Sequence, residues 1–373
     1  MELIFLLLSS LHEPENYMLF QWMIGLILSS AVISLVLCRY LSVLCATLFL
    51  YQSTWAVIAM MSRTKGYLGA PGPSRTLLCL MAAISHVSIF TTLFSLLFVK
   101  FRHLTKMVHA LSYFGGVNSL YVIIGCVFGF GRFQAGVGYS GLLDYAGMNG
   151  CLIALCMLVS AAHAIKGPKN MLHTIIFFLG VLALWLSASS IPYGVLACCF
   201  VGYLLCERKF QPLHLAGAMF IPIAIGFGYD GVTLFDSAGR FTAYKVFMSD
   251  WWERGHVMFG MGPGSFAALA PSIQTKHNFM INADGGMWAW YWLHSDWLQS
   301  FFELGVVGGI LIISVYLQSL FKLYRSNESQ VFAIACGLGG CALVNYPMKY
   351  YVTAFLFGLV VVYANRLEPS ENY

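Results

Sequence analysis

Arg240 and His294 are the side chains whose types and setting best suit chemistry on an anionic substrate. An Arg fork presents planar, bidentate donors to phosphate and never deprotonates. Arg240 closes Asp236-Ser-Ala-Gly-Arg240, eleven residues before Trp251-Trp252. The other reading of such an Arg is a guanidinium that snorkels to lipid headgroups, which fits Lys245, Arg254 and Lys276 better. His294 opens the run His294-Ser-Asp296-Trp-Leu-Gln299, which leads into a long apolar segment. Asp296 with Gln299 three residues on reads as a capping box with Asp296 as N-cap, so a helix starts near Trp297. Its free N–H groups attract anions, and its positive end favours the neutral imidazole of His294. A neutral imidazole near pH 7 is a usable general base or hydrogen-bond partner. The bland alternatives are a plain cap for Asp296 and an interfacial ornament for His294.

These residues belong to one stretch that breaks the pattern of the chain. From Tyr229 to Trp297 lie six of the fifteen acidic residues and six of the nine Trp, with Arg240, Lys245, Arg254 and Lys276. The Trp carry two readings of equal weight. They form an aromatic belt at the membrane–water interface, or rings on which the apolar faces of sugars stack; Trp288, Trp290 and Trp292 alternate before His294. Gly260-Met-Gly-Pro-Gly264 reads as a tight turn and offers a weak signal for a phosphate-binding nest. His277 and His294 show no metal-ligand spacing, and no metal is expected.

The rest of the chain must position that stretch in a membrane. It is 59% hydrophobic and 9% charged, with a mean hydropathy of +0.77, far from soluble globular proteins. Apolar runs long enough to cross a bilayer recur: Tyr17–Leu37, Leu41–Met61, Thr76–Val99, Met107–Phe130, Met148–Ile165, Met171–Leu186, Tyr193–Cys206, Pro212–Tyr229, Leu298–Phe321, Val331–Tyr346 and Val352–Asn365. Leu3–Leu11 adds a short twelfth candidate and resembles a signal peptide only weakly. Long continuous runs exclude a closed barrel. The expected fold is an all-α integral membrane protein with roughly 11–12 transmembrane helices and one large extracytoplasmic loop. Residues 1–228 then form the N-terminal helices, 229–296 the loop, and 297–373 the C-terminal helices with a short tail.

Charge sets the orientation. Counting alternate short loops, eleven basic residues (Arg39, Lys100, Arg102, Lys106, Lys166, Lys169, Arg208, Lys209, Lys322, Arg325, Arg366) fall on one side. Five (Arg63, Lys65, Arg75, Arg132, Lys349) fall on the other. The richer side is cytoplasmic by the positive-inside rule, which places the C-terminus inside and the polar loop outside. Short basic connections leave no room for a nucleotide-binding domain, and no phosphate loop occurs, which argues against ATP-driven transport. The eleven Cys sit in or beside apolar runs, so no disulfide framework is implied. Gly305 and Gly309 have the spacing of close helix packing in lipid.

The order Ser237-Ala-Gly-Arg240, Trp251-Trp252, Gly260-Met-Gly-Pro-Gly-Ser-Phe266 and His294-Ser-Asp-Trp-Leu-Gln-Ser-Phe-Phe-Glu303-Leu-Gly305-Val-Val-Gly308 resembles the O-antigen ligase and polymerase superfamily. The likeness covers roughly residues 133–321, and its last block is the most specific. Asp144-Tyr-Ala-Gly-Met-Asn149 also resembles that family's Asn-containing segment. The resemblance implies a bacterial inner-membrane, multi-pass glycosyltransferase of the C type, working on the periplasmic side without metal or other cofactor. It would move a glycan from undecaprenyl diphosphate, with inversion, to a glycan or lipid A-core acceptor; lipids are its other partners, and nucleic acid is not one. Carried onto this chain, Arg240 binds the donor diphosphate and His294 activates the acceptor hydroxyl or assists the leaving group. Arg132, Arg254, Trp251, Trp292, Asp296 and Gln299 are expected around the substrate, and Glu303 in a supporting place. One departure stands out: the family's Ser-Arg-Gly is replaced by Leu186-Ser-Ala-Ser-Ser190-Ile-Pro-Tyr-Gly194, without an Arg, and Arg132 is the candidate substitute. The competing class is a transporter of lipid-linked saccharides or other amphiphiles, which predicts ionisable residues within the membrane. His86, His163 and His173 are among the few present.

Overall fold

The computed structural model describes residues 42–62, 96, 99–129, 133–134, 138–139, 141–143, 146–165, 171–187, 189, 191–207, 240–262, 265–279, 292–349 and 351–367. The described residues are almost wholly helical. Ten α-helices follow in order: α1 Val43–Ser62, α2 Phe101–Phe128, α3 Ala146–Ile165, α4 Met171–Leu186, α5 Ile191–Glu207, α6 Arg240–Glu253, α7 Ser265–Lys276, α8 Asp296–Arg325, α9 Ser329–Val344 and α10 Tyr351–Arg366. A two-residue antiparallel pair, Phe133–Gln134 with Gly138–Tyr139, lies between α2 and α3. Eight of the apolar runs read from the sequence coincide with helices. Tyr17–Leu37 and Pro212–Tyr229 lie outside the described residues, as do Leu3–Leu11 and nearly all of Thr76–Val99.

Among the described residues three helices, α2, α3 and α8, are long and apolar enough to cross a membrane. Parts of α1 and α10, together with α4, α5 and α9, are shorter apolar helices. α3 is the central one: 94% of its most apolar window is buried inside the protein, against 39% for α2, so α3 is wrapped by helices and α2 faces outward on one side. α2, α3 and α4 pack on one another; α3 continues to α5, α5 to α9, α9 to α8, and α8 to α1 and α10. On α4, Met171, Ile175, Phe178, Leu182 and Trp185 form an exposed apolar stripe at helical spacing. Water would not stabilise such a face, and hydrocarbon would. Together these features suit a helical membrane protein.

α8 departs from a regular helix where the sequence suggested simple packing. Gly305 has φ 70° and ψ −175°, which breaks the helix inside its thirty residues. The segment before α7 lies against the break. Met261 N–H donates to the Phe302 carbonyl (3.0 Å) and Gly262 N–H to that of Glu303 (2.7 Å). Val306 and Val307 N–H donate to the carbonyls of Val257 and Met258 at 2.9 and 3.2 Å. From α1, the Tyr51 hydroxyl donates to the Leu304 carbonyl at 2.6 Å. The polar backbone freed by the break is thus paired, as a low-dielectric setting requires. A Cβ on Gly305 would stand 2.3 Å from the Met258 carbonyl oxygen, and one on Gly260 2.3 Å from the Gly305 nitrogen. Gly305 therefore serves a backbone crossing, and Gly309 lies under the Phe301 ring of its own helix. Both differ from the expected helix–helix motif.

Candidate functional site

The stretch between α5 and α8 contributes two helices that pack on α8. Their apolar contact is a small core of Ala243, Phe247, Trp251, Phe266, Leu269, Ile273 and Phe302, separate from the main bundle core. Ring pairs Phe247–Phe266 and Phe266–Phe302, with centroids 4.7 and 5.4 Å apart, hold α6, α7 and α8 together. This core fixes the near end of α6, where Arg240 is the first helical residue, beside the segment that enters α8.

Arg240 is only 5% exposed, and its Nη1 has no hydrogen-bond partner among the described residues. A buried guanidinium N–H without a partner is costly, so it marks a place where an acceptor belongs. One turn on, the Tyr244 hydroxyl donates to the His294 carbonyl at 2.7 Å. His294 has a left-handed backbone, φ 55°. Burial and then the charge of Arg240 push its imidazole down to about 3, so the ring is neutral throughout the physiological range. The helix end argued from the sequence reached the same protonation state by a different cause. Tyr346 lies edge-on to the imidazole at 4.9 Å and stacks against Trp292 at 6.2 Å.

The residues around His294 hold its main chain. Gln299 Oε1 accepts the Leu293 N–H at 3.1 Å, and Gln299 Nε2 donates to Glu303 Oε1 at 2.8 Å. Asp296, 2% exposed, accepts the Met348 N–H at 2.6 Å, and its own N–H donates to the Asn345 carbonyl at 3.1 Å. The cap differs from the expected one. Ser295 is the N-cap of α8, its hydroxyl accepting the Leu298 N–H at 3.4 Å and donating to the Ala342 carbonyl at 3.3 Å. Asp296 is taken by Met348, so the hydroxyl one residue earlier caps, and Gln299 reaches Leu293 in place of the Asp296 N–H.

Arg240, His294, Trp292, Asp296 and Gln299 thus fall in one region, where the side chains of Asp296 and Gln299 are already engaged with the main chain or Glu303. Trp251 and Arg254 do not join them. Eleven and fourteen residues along α6 from Arg240 place them roughly 16 and 21 Å away. Trp251 is buried in the small core, with Nε1 lacking a partner among the described residues. Arg254 pairs with buried Asp250, which also takes Lys276 Nζ at 3.0 Å; Lys276 reaches Glu253 at 2.7 Å, and His277 lies 3.9 Å from Asp250. Burial alone would raise the Asp250 carboxyl, but Arg254 and Lys276 hold it below its usual range. Lys245 is exposed. Arg132, Asp144, Trp288 and Trp290 lie outside the described residues.

The Gly260–Gly264 turn also has a structural use where it is described. Gly260 and Gly262 have positive φ, but the N–H groups of residues 260 to 262 are spent on His256, Phe302 and Glu303 carbonyls, so they do not form an anion nest. Asn149 accepts from Asn118 Nδ2 at 2.9 Å and from the Leu143 N–H at 3.3 Å, which ties the turn before α3 to α2. No protein-family model matches the chain, and no curated protein matches it.

Sequence reasoning missed Tyr244, Tyr346 and Asn345 at this site. The i, i+4 spacing of Arg240 and Tyr244 was a readable signal; the other two reach the site only through the turn after α9. It named His163 and His173 as isolated ionisable residues but not their grouping with His109. His109 Nδ1 lies 2.7 Å from His163 Nε2, the rings of His163 and His173 stack at 4.7 Å, and Ser112 bridges Ser160 (2.7 Å) and His173 Nδ1 (2.8 Å). Helices α2, α3 and α4 each contribute to it.

Proposed function

We propose that this chain is a membrane glycosyltransferase of the O-antigen ligase or polymerase type, in a bacterial inner membrane. In this reading it has roughly 11–12 crossings, residues 229–296 face the periplasm, and the C-terminus is cytoplasmic. The donor is an oligo- or polysaccharide on undecaprenyl diphosphate. The acceptor is another glycan or a lipid A-core. One observation carries the reading: a buried guanidinium with an N–H unfilled among the described residues stands within electrostatic reach of an imidazole that is neutral at working pH. A diphosphate fills the first, and a hydroxyl uses the second. The acceptor oxygen attacks the anomeric carbon from the face opposite the diphosphate, so the configuration inverts. Its proton passes to the imidazole of His294 as the bond from carbon to the diphosphate oxygen breaks. Arg240 neutralises the charge that develops on the departing diphosphate. The leaving group is already activated, so no nucleotide or metal is needed. Trp292 and Tyr346 supply apolar ring surface near the imidazole, which suits a saccharide.

The deciding experiment is reconstitution with an undecaprenyl-diphosphate oligosaccharide. Wild type should form a glycosidic bond, and folded Arg240→Ala and His294→Ala should lose it by at least about 100-fold. Transfer that survives in both variants sinks the reading.

A transporter of lipid-linked saccharides or other amphiphiles is the second reading, and the His109–His163–His173 cluster favours it. Ionisable side chains linked between helices within a membrane protein mark pathways for protons or substrates. Movement of the lipid-linked donor without any new glycosidic bond would decide for this class.

A further inference from the structure

We propose that Tyr244 is a positioning residue for His294, tying helix α6 to the main chain that carries the imidazole. The inference rests on the role proposed for His294, and the test below separates the two.

The argument begins with a backbone that needs holding. His294 sits at φ 55°, a left-handed region that a non-glycine residue adopts only at a cost. Such a conformation persists where surrounding bonds over-determine it. Gln299 fixes the Leu293 N–H on one side, and Ser295 is bound to the Ala342 carbonyl on the other. The carbonyl of His294 itself is taken by the Tyr244 hydroxyl at 2.7 Å. This bond comes from another element, fifty residues away along the polar stretch. It therefore sets a relative position and not merely a local turn.

What it positions follows from spacing. Arg240 and Tyr244 are four residues apart on α6 and share one face. The bond that places Tyr244 on the His294 main chain also places the guanidinium one turn earlier, within electrostatic reach of the imidazole. A Phe at 244 would keep the ring, including its edge-on contact with Phe241 at 6.0 Å, and lose only the tie. Burial raises the phenol to about 12 despite the opposing charge of Arg240, so it remains a donor at any working pH. Other ionisable groups near the imidazole are Tyr346, edge-on after α9, and Asp296 at the start of α8, whose carboxylate accepts the Met348 N–H. Neither replaces the tie to α6.

Tyr244→Phe in the full chain, reconstituted in lipid nanodiscs, tests this. The ring resonances of His294 are followed from pH 8 to 4.5 with isotope-labelled histidine, and His294→Gln assigns them. In wild type the imidazole is expected to stay neutral throughout that range. In Tyr244→Phe it is expected to titrate inside the range, moving toward the ordinary value of 6.5 as the ring parts from Arg240 and gains water. A Tyr244→Phe imidazole that stays silent down to pH 4.5 overturns the inference. With an undecaprenyl-diphosphate oligosaccharide as substrate, kcat should fall by roughly 3- to 10-fold at pH 7.5, the loss of one hydrogen bond, and further below pH 6. A fall of equal size at every pH counts against positioning, because a general loss of fold would give it. Should wild type transfer no glycan, the proposed reaction fails, and the titration alone still decides whether Tyr244 positions His294.

Discussion

The guanidinium of Arg240 and the imidazole of His294, far apart along the polar stretch, act on each other across the fold: burial first, and then the guanidinium charge, hold the imidazole neutral. A ring with an ordinary value near 6.5 would be half protonated under mildly acidic conditions. Here it remains a base down to about pH 3. Transfer activity should therefore be insensitive to pH between about 5 and 8, as far as His294 controls it. Arg240→Gln removes the second cause and should bring the imidazole part of the way back toward 6.5, visible as ring titration by NMR. An unchanged imidazole in that variant would mean that burial alone sets its state.

The same depression makes stability depend on pH. Between about 3 and 6.5 the unfolded chain binds a proton at His294 and the folded chain does not, so the unfolded state gains as pH falls. Stability contributed by the neutral ring is complete above pH 6.5 and declines toward pH 3, by on the order of 5 kcal/mol across the window. His294→Gln should flatten that part of the stability curve, read as the change in Tm in detergent from pH 7.5 to 5. Equal slopes for wild type and variant would contradict this.

Two neighbouring residues separate capping from anchoring. Ser295→Ala removes the side chain that accepts the Leu298 N–H and should cost about 1 kcal/mol. Asp296→Ala strips the acceptor from the buried Met348 N–H and should cost more, roughly 1–3 kcal/mol, despite lying one position further into the helix. Chemical denaturation in detergent reads both. The reverse order would restore Asp296 as the cap.

Much of the scaffold was legible because lipid demands long apolar runs, and such runs are visible without any partner. Met171–Leu186 matches its helix end to end, and the start of α8 lies two residues from the run read as Leu298–Phe321. Arg240 and His294 were legible because charge is scarce in this chain. The break at Gly305 was not: a Gly-x-x-x-Gly spacing is the same string whether it serves two helices or a crossing of backbone. Asp296 and Ser295 were confused because either side chain caps well, and only the Met348 N–H, which arrives from the turn after α9, decides between them. For Tyr244 the readable signal was its i, i+4 spacing from Arg240 alone. Its meaning lies in a carbonyl brought to it by the fold.

The ion pairs at the far end of α6 predict a different pH response. Asp250 is buried and bound by Arg254 and Lys276, and its carboxyl is held below the ordinary 3.8. A depressed carboxylate stabilises the fold fully above its unfolded value and loses that contribution as pH falls through the folded value, hence only below about 3.8. Asp250→Asn should therefore lower Tm at pH 7, and its gap from wild type should narrow as pH falls below about 3.8. Because Lys276 is exposed, high salt should recover little in the variant. A variant as stable as wild type at pH 7 would show that the small core holds α6 to α7 unaided.

The backbone crossing at Gly305 gives the sharpest steric prediction. Gly305→Ala and Gly260→Ala each push a methyl group to 2.3 Å from a main-chain atom, at positive φ, with no flexible side chain to give way. Each should cost more than roughly 3 kcal/mol, because a clash with backbone moves two elements at once. Gly194→Ala is the control: it lies in helix α5, and nothing stands within 4 Å of the added carbon. Alanine there should be neutral or stabilise by roughly 0.5–1 kcal/mol. Tm in detergent for the three variants checks the contrast. If Gly305→Ala unfolds no earlier than Gly194→Ala, α8 runs through residue 305 as a continuous helix, and the paired backbone of residues 257 to 262 lies elsewhere.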